Sequence, residues 1–320
     1  MKENDIPIAL PFMGEWGSKI SKHVPGIYGI PRPLIIAHEA GEEAIYPDAT
    51  ERYIYERPKA IERKAGGNIY QVKTKGLPLE GRIPYHDQVK IYFEPNVWED
   101  HLKTGKPPQW QRKYIAANAP SNMPHKYFIP QSIGTYECDF DIVLFARCQQ
   151  YAAARNFPFW IEVEQALAVE GIKCLVVGQP DSTASLNCPS IWDLVDNTSQ
   201  ILDASIWAIS QAKMRIGSPT GTTLLTLLCG QNVVILMSET GHEAQGSKMS
   251  LPAGYYYKID TNRVGYRVIA HWMEWERAVE EILWMYSDLD KFNQDCKDWI
   301  KKIDNNLAIP DPDIKWRNLK

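Results

Sequence analysis

No apolar run in this sequence approaches the roughly 20 residues that a bilayer-spanning helix requires. The opening MKENDIPIALPF lacks the longer apolar core and the small-residue cleavage site of a secretory leader. The six cysteines, at 138, 148, 174, 188, 229 and 296, form no CxxC pair, and several sit inside apolar runs, as reduced buried thiols do. They never cluster with the seven histidines at metal-ligand spacing, so no zinc pattern is present. The chain also lacks GxxxxGK[ST], GxGxxG and GxSxG, which sets aside the P-loop, the dinucleotide fingerprint and the nucleophile elbow. Nor is there a strong charge of either sign. A formal net charge of −4 gives no global drive towards nucleic acid or an anionic membrane surface. These absences lead us to expect a soluble, cytoplasmic protein with no metal, no cofactor and no stable membrane insertion.

What the sequence does hold is globular. It is 44% hydrophobic and 23% charged over 320 residues, enough for one large domain or two of moderate size. Eleven tryptophans and sixteen tyrosines serve equally well as core or as sugar-stacking platforms, and composition does not separate the two. The stretch 51–75 carries seven Lys/Arg against three Glu and reads as a solvated basic surface. Strand-like runs in the first third are IPIALPF (6–12), PLIIAH (33–38), RYIY (52–55) and VKIYFE (89–94). The Pro- and Asn-rich segment 104–134 reads as a long loop leading to a domain boundary.

After residue 140 the rhythm changes. DIVLFAR, IKCLVVG, MRIG and NVVIL are short buried-type strands separated by helical stretches, the pattern of a parallel sheet covered on both faces. Asn156 stands where a helix cap is wanted, and Gly171 where a helix ends. The aromatic, amphipathic stretch beginning HWMEWERAVEEILWMY reads as a long C-terminal helix. Accordingly we expect an α/β fold divided into an N-terminal domain (1–135), a second domain (136–285) and a helix and tail (286–320).

Ligands of such sheets bind beyond the carboxyl ends of the strands. There the chain places SPTGTT, with Ser218, Thr220, Gly221, Thr222 and Thr223 at a helix entrance. An ordinary cap needs only one such hydroxyl. Several around a glycine suggest a helix N-terminus open to an anion, although Ser218 or Thr220 can equally cap the helix themselves. Arg147 and Arg155 flank another strand end, where guanidinium groups can fork onto phosphate oxygens. Together they point to a diphosphate site, with Gly178, Asp181 and Ser182 in the next loop as nucleoside contacts. Near the start, Glu15 lies between Gly14 and Gly17 after a strand, a place for a general base, with Trp16 and His23 close by. Asp139 and Asp141 make a DxD triplet, but it precedes its strand, the wrong end for a metal-held nucleotide.

The pattern DNTSQILDASIWAISQAKMRIGSPTGTTLLTLLCGQNVVIL resembles the C-terminal core of GT-B glycosyltransferases of the ADP-heptose:lipopolysaccharide heptosyltransferase type, glycosyltransferase family 9. RNFPFWIEVEQALAVEGIKCLVVGQP and, more distantly, MGEWGSKISKHVP are similar to further elements of that family. Thr220-Gly221 falls on the family's Thr-Gly at the donor diphosphate, and Glu15 on the acidic residue that is its catalytic base. The family's Asp before Thr-Gly is Pro219 here, and its later His falls on Leu224. The resemblance implies two Rossmann-like domains facing across a cleft, the acceptor on the first, the nucleotide on the second, and the C-terminal helix closing back on the first. It implies metal-independent, inverting transfer of a hexosyl- or heptosyl-type sugar from a nucleotide-diphosphate sugar to an acceptor hydroxyl of a glycan. A transferase acting on modified bases in phage DNA, a GT-B-like sugar-nucleotide epimerase and a non-catalytic binding module stay open beside it.

Overall fold

Apolar β-type runs near the start of the chain and after residue 140 both fold as parallel sheets. The computed structural model describes residues 8–9, 16, 20, 24, 35–46, 49, 51–54, 61–63, 70–72, 130–150, 156–218, 220–229, 232–236, 266–269 and 275–304. The chain divides into two units, Met1–Gln131 and Ser132–Lys320.

In the first unit β1 (Ile8–Ala9), β2 (Ile35–His38) and β3 (Glu51–Ile54) form a parallel sheet with β2 in the middle. Ile36, Ile20 and Val24 are fully buried. A separate antiparallel pair, β4 (Ile61–Arg63) and β5 (Tyr70–Val72), lies inside the basic stretch that the sequence reads only as solvated surface. The expected strand at 89–94 lies outside the described residues.

The second unit is built on β6 (Ile142–Phe145), β7 (Cys174–Val176), β8 (Met214–Gly217), β9 (Val233–Leu236) and β10 (Tyr266–Ile269), all parallel. Their spatial order is β7-β6-β8-β9-β10, a doubly wound arrangement. Side chains alternate between the faces. Ile142, Leu144, Val176, Met214, Ile216, Val234 and Leu236 line one face. Against it pack α1 (Trp160–Val169), through Trp160, Val163 and Leu167, and α4 (Trp275–Ser287), through Ala278, Ile282 and Met285. The other face meets α2 (Ile201–Gln211) and α3 (Gly221–Cys229). There Arg215, only 5% exposed, points from β8 to the end of α2 and donates from Nε to the Ile209 carbonyl at 2.7 Å. Burial pushes its guanidinium down to about 10.

Helix ends follow local chemistry. α1 stops in a Schellman turn: Gly171, at φ 73°, donates to the Ala168 carbonyl and Ile172 to that of Leu167, both at 3.0 Å. The turn before α2 carries a capping box between Asn197 and Gln200. Asn156, expected to cap α1, does not do so. The helix begins at Trp160 with Phe159 as an N-cap that makes no side-chain bond. The single long helix expected near the C-terminus is two, α4 and α5 (Leu289–Asp304). Asp288 divides them, its carboxylate accepting from the Lys291 N–H at 3.0 Å. Phe292 of α5 lies in the core of this second unit.

Two carboxylates organise what the periodicity does not reveal. Asp203, on α2 and 7% exposed, accepts from the N–H groups of Ile133 and Gly134 at 2.8 Å, from Ser132 Oγ at 3.0 Å and from the Tyr136 hydroxyl at 2.9 Å. A Cβ on Gly134 would lie 2.7 Å from the Asp203 carboxylate, so the glycine is what lets the strap close. Burial, then the Asp203 carboxylate, pushes the Tyr136 phenol up to about 12. At the amino ends of the strands Asp141 accepts from the Lys173 N–H at 3.1 Å and from Lys213 Nζ at 2.6 Å, while Asp139 pairs with Lys173. The DxD triplet thus staples β6 to the segments leading into β7 and β8.

Replacing Asp203 by Ala leaves buried donors without an acceptor and is expected to cost about 3 kcal/mol in urea unfolding, with Asn intermediate. Asp141 makes a separate, pH-dependent contribution. Burial raises its pKa, but the bonds from Lys213 and Lys173 outweigh this and hold it below the ordinary 3.8. A depressed folded-state pKa means stability present above the ordinary carboxylate value and lost as pH falls through the folded one. Urea midpoints should therefore be lower for Asp141→Asn than for wild type at neutral pH, and the two curves should converge on acidification.

Candidate functional site

Strand order decides where a ligand can sit. β6 sends its chain to β7 on one side, and the next strand, β8, returns on the other. The crevice outside the carboxyl ends of β6 and β8 is therefore the switch point of the sheet, the position where doubly wound folds receive ligands. Phe145 stands opposite Gly217 in the ladder. The Phe145 carbonyl accepts from the N–H of Arg147 at 2.9 Å and of Ser218 at 3.3 Å. Two of the residues picked from sequence, distant along the chain, thus share one acceptor.

Gly217 lets α3 come close. A Cβ there would stand 2.8 Å from both Phe145 Cβ and Thr223 Oγ1. The entrance of α3 is partly capped by its own residues. Thr220 Oγ1 accepts from the Thr223 N–H at 3.3 Å, and Thr223 Oγ1 donates to the Ser218 carbonyl. Thr226 Oγ1 turns back to the Thr222 carbonyl at 3.1 Å. The side-chain cap alternative thus holds for Thr220. It meets the third N–H of the helix and leaves those of Gly221 and Thr222, which have no acceptor within a helix's first turn. Ser218 differs from the threonines: it is 0% exposed and its hydroxyl has no hydrogen-bond partner. A buried hydroxyl without a partner is uncommon, because its desolvation is not offset.

Arg147 sits at the carboxyl end of β6, 7% exposed. Its Nη1 donates to Asn156 Oδ1 and its Nη2 to Gln149 Oε1 at 3.0 Å. Asn156 is itself locked, donating to the Gln149 carbonyl at 2.8 Å. Through these bonds the guanidinium braces its own loop. Cap-like Asn156 turns out to be its partner, and nothing in the local sequence pattern distinguishes the two uses. Arg155 lies outside the described residues.

The loop after β7 runs back along the same edge. Arg147 bridges antiparallel to Thr183, and the Cys148 N–H donates to the Ser182 carbonyl at 2.8 Å. Asp181 is exposed, whereas Ser182 Oγ is engaged by the Gln179 carbonyl at 3.2 Å. The Gly178 carbonyl accepts from Trp192 Nε1 at 2.7 Å, and a Cβ on Gly178 would collide with Thr183 Oγ1. Trp192 has no motif that marks it in advance. Glu15, Gly14 and His23 lie outside the described residues, and Trp16 is partly buried. Among the described residues no group of His, Cys, Asp and Glu could hold a metal ion, and no helix is long and apolar enough to cross a membrane.

Electrostatically the switch point offers donors. The segment Gly217–Cys229 contains no acidic residue, and the N-terminus of α3 carries partial positive charge.

No protein-family model and no curated protein matches the chain. Among solved structures it is similar to the ADP-heptose LPS heptosyltransferase II of E. coli, at 13% identity and a TM-score of 0.45, covering 89% of this chain and 100% of that one. It is similar also to the E. coli heptosyltransferase WaaC with ADP, at 11% identity and a TM-score of 0.43, covering 90% and 100%. A third is the iron-containing dodecameric glycosyltransferase TibC of enterotoxigenic E. coli H10407, at 13% identity and a TM-score of 0.38, covering 74% of this chain and 59% of that chain. These proteins are of the heptosyltransferase type that the sequence resembles.

Gly217→Ala is expected to cost about 1–3 kcal/mol by forcing α3 away from β6, and Thr220→Ala about 1 kcal/mol by removing a cap. Urea unfolding of each variant without ligand measures both.

Proposed function

We propose that the chain is a glycosyltransferase that binds the diphosphate of a nucleotide-diphosphate sugar at the switch point of its second sheet and transfers the sugar to an acceptor hydroxyl of a glycan. One observation carries the reading: the Ser218 hydroxyl, wholly buried and without a partner, beside the first turn of α3. An anion seated there receives that hydroxyl together with the N–H groups of Gly221 and Thr222. It meets partial positive charge at the moment the glycosidic bond breaks and charge grows on the leaving diphosphate. In this reading the chain's own donors neutralise that charge and no divalent metal takes part.

Arg147 acts in the proposal by bracing the loop at the end of β6, and Arg155 as a further phosphate contact. Gly178, Asp181 and Ser182 meet the nucleoside. Glu15 removes the proton from the acceptor hydroxyl, which then attacks the anomeric carbon with inversion, Gly14, Trp16 and His23 lying on the acceptor side. The same proposal includes two Rossmann-like domains facing across a cleft, with the C-terminal helix returning to the first. The epimerase, DNA-modifying and binding-module readings gain no observation of their own.

The test is the melting temperature with a panel of nucleoside diphosphates and nucleotide sugars in the presence of a chelator. A ligand at a hundred times its dissociation constant adds about 2.7 kcal/mol to apparent stability. We expect one nucleotide to raise the melting temperature selectively. Ser218→Ala should weaken that nucleotide about tenfold while leaving the unliganded protein as stable as before or slightly more so, because the hydroxyl it removes bonds nothing in the free chain. No shift with any member of the panel, or an unchanged affinity in Ser218→Ala, would sink the proposal.

A further inference from the structure

β7 lies at one edge of the five-stranded sheet, and the chain that leaves it comes back along that edge. Val176, the last residue of β7, bridges in parallel to Ser190, and its N–H donates to the Pro189 carbonyl at 2.9 Å. Two residues back along each segment stands a cysteine, Cys174 on β7 and Cys188 on the returning chain. Cys188 packs against the core cluster that contains Cys174, so the two side chains share one face of the sheet. Neighbouring strands run about 4.8 Å apart, inside the Cα separation of about 4.4–6.8 Å that a disulfide spans. Both cysteines are free thiols, Cys174 buried and Cys188 partly exposed.

The surroundings narrow what the pair can do. Burial raises both thiols, and for Cys174 the next cause is Cys188, which places the two sulfurs close together. Glu164 of α1, itself 5% exposed, also acts on both. Two thiols and a carboxylate invite a metal ion, yet among the described residues no group of His, Cys, Asp and Glu could hold one. Oxidation needs only the two sulfurs. Its product is neutral and has no N–H or O–H to satisfy, which suits an apolar setting.

We infer that Cys174 and Cys188 are an oxidative modification site, closing to an intramolecular disulfide when the chain meets a low-molecular-weight disulfide such as oxidised glutathione. The partly exposed Cys188 sulfur attacks the reagent, whose S–S bond breaks, and one reagent thiol leaves with the Cys188 proton. Cys174 then attacks Cys188 Sγ in the mixed disulfide, and the second reagent thiol leaves with the Cys174 proton. Two protein thiols are oxidised and one reagent disulfide is reduced to two thiols. The new bond closes the loop 175–187, which carries Gly178, Asp181 and Ser182, and ties its far end to β7. None of this depends on the diphosphate reading.

The experiment holds the full chain in glutathione buffers of rising oxidised fraction, quenches with acid and an alkylating agent, and maps the peptides by mass spectrometry. The expected product is a monomer with the Cys174 and Cys188 peptides joined, melting roughly 5–10 °C above the reduced chain. Its rate of formation should rise about tenfold per pH unit from pH 7 to 9. The attacking Cys188 thiol is pushed up to about 12, so its thiolate fraction grows in that proportion. Cys188→Ser should leave Cys174 reduced and abolish the melting shift. Should that variant fold poorly, the wild-type peptide map decides by itself. Joining of Cys188 to Cys138, a glutathione adduct that persists on Cys188, a covalent dimer, no internal disulfide in the most oxidising buffer, or a joined product that melts no higher would each overturn the inference.

Discussion

The pairing of β6 with β8 is the constraint on which the second unit depends. β6 is flanked by strands that follow it in the chain, one on each side, so every later element is placed by which edge it joins. Because Phe145 falls opposite Gly217, the two strands end together and their last carbonyls and N–H groups meet at one point. A side chain larger than hydrogen at Gly217 would part the helix from the sheet, and the register alone would no longer bring Ser218 beside Arg147. The site is thus a consequence of topology before it is a matter of any side chain's chemistry.

Ionic contacts tie the amino ends of this sheet together. At the amino ends carboxylates and lysines compensate one another: Asp139 with Lys173, Asp141 with Lys213. With both lysines largely exposed, these pairs fix the strand entrances more than they add stability. At the carboxyl end of β8 the segment Gly217–Cys229, which enters and forms α3, contains no acidic residue.

Much of this architecture is legible in the sequence because it rests on local signals. Short β-branched runs alternating with helical stretches, Gly171 after a helix and SPTGTT before one each act within a few residues. What escapes the sequence is long-range. Asp203 looks like one more polar residue at the start of α2, yet it gathers Ser132, Ile133, Gly134 and Tyr136 from about seventy residues away. Asn156 and Arg147 are each legible as polar residues at element ends, but their mutual bond, which draws Asn156 away from the cap, is not. At the other end of the unit one amphipathic periodicity conceals a break, because Asp288 caps the following helix without disturbing the pattern of apolar positions.

The entrance of α3 shows how capping and binding share one turn. Thr220 meets a single N–H, and Thr223 spends its hydroxyl on the Ser218 carbonyl, so the helix is held without a guest. That internal bonding fixes the backbone of Ser218 and leaves its hydroxyl as the group with nothing to meet. A side chain that served only the fold would be expected to find a partner or to be replaced by alanine at no loss. Retaining a desolvated hydroxyl costs stability in the free protein, and functional positions are where such a cost persists.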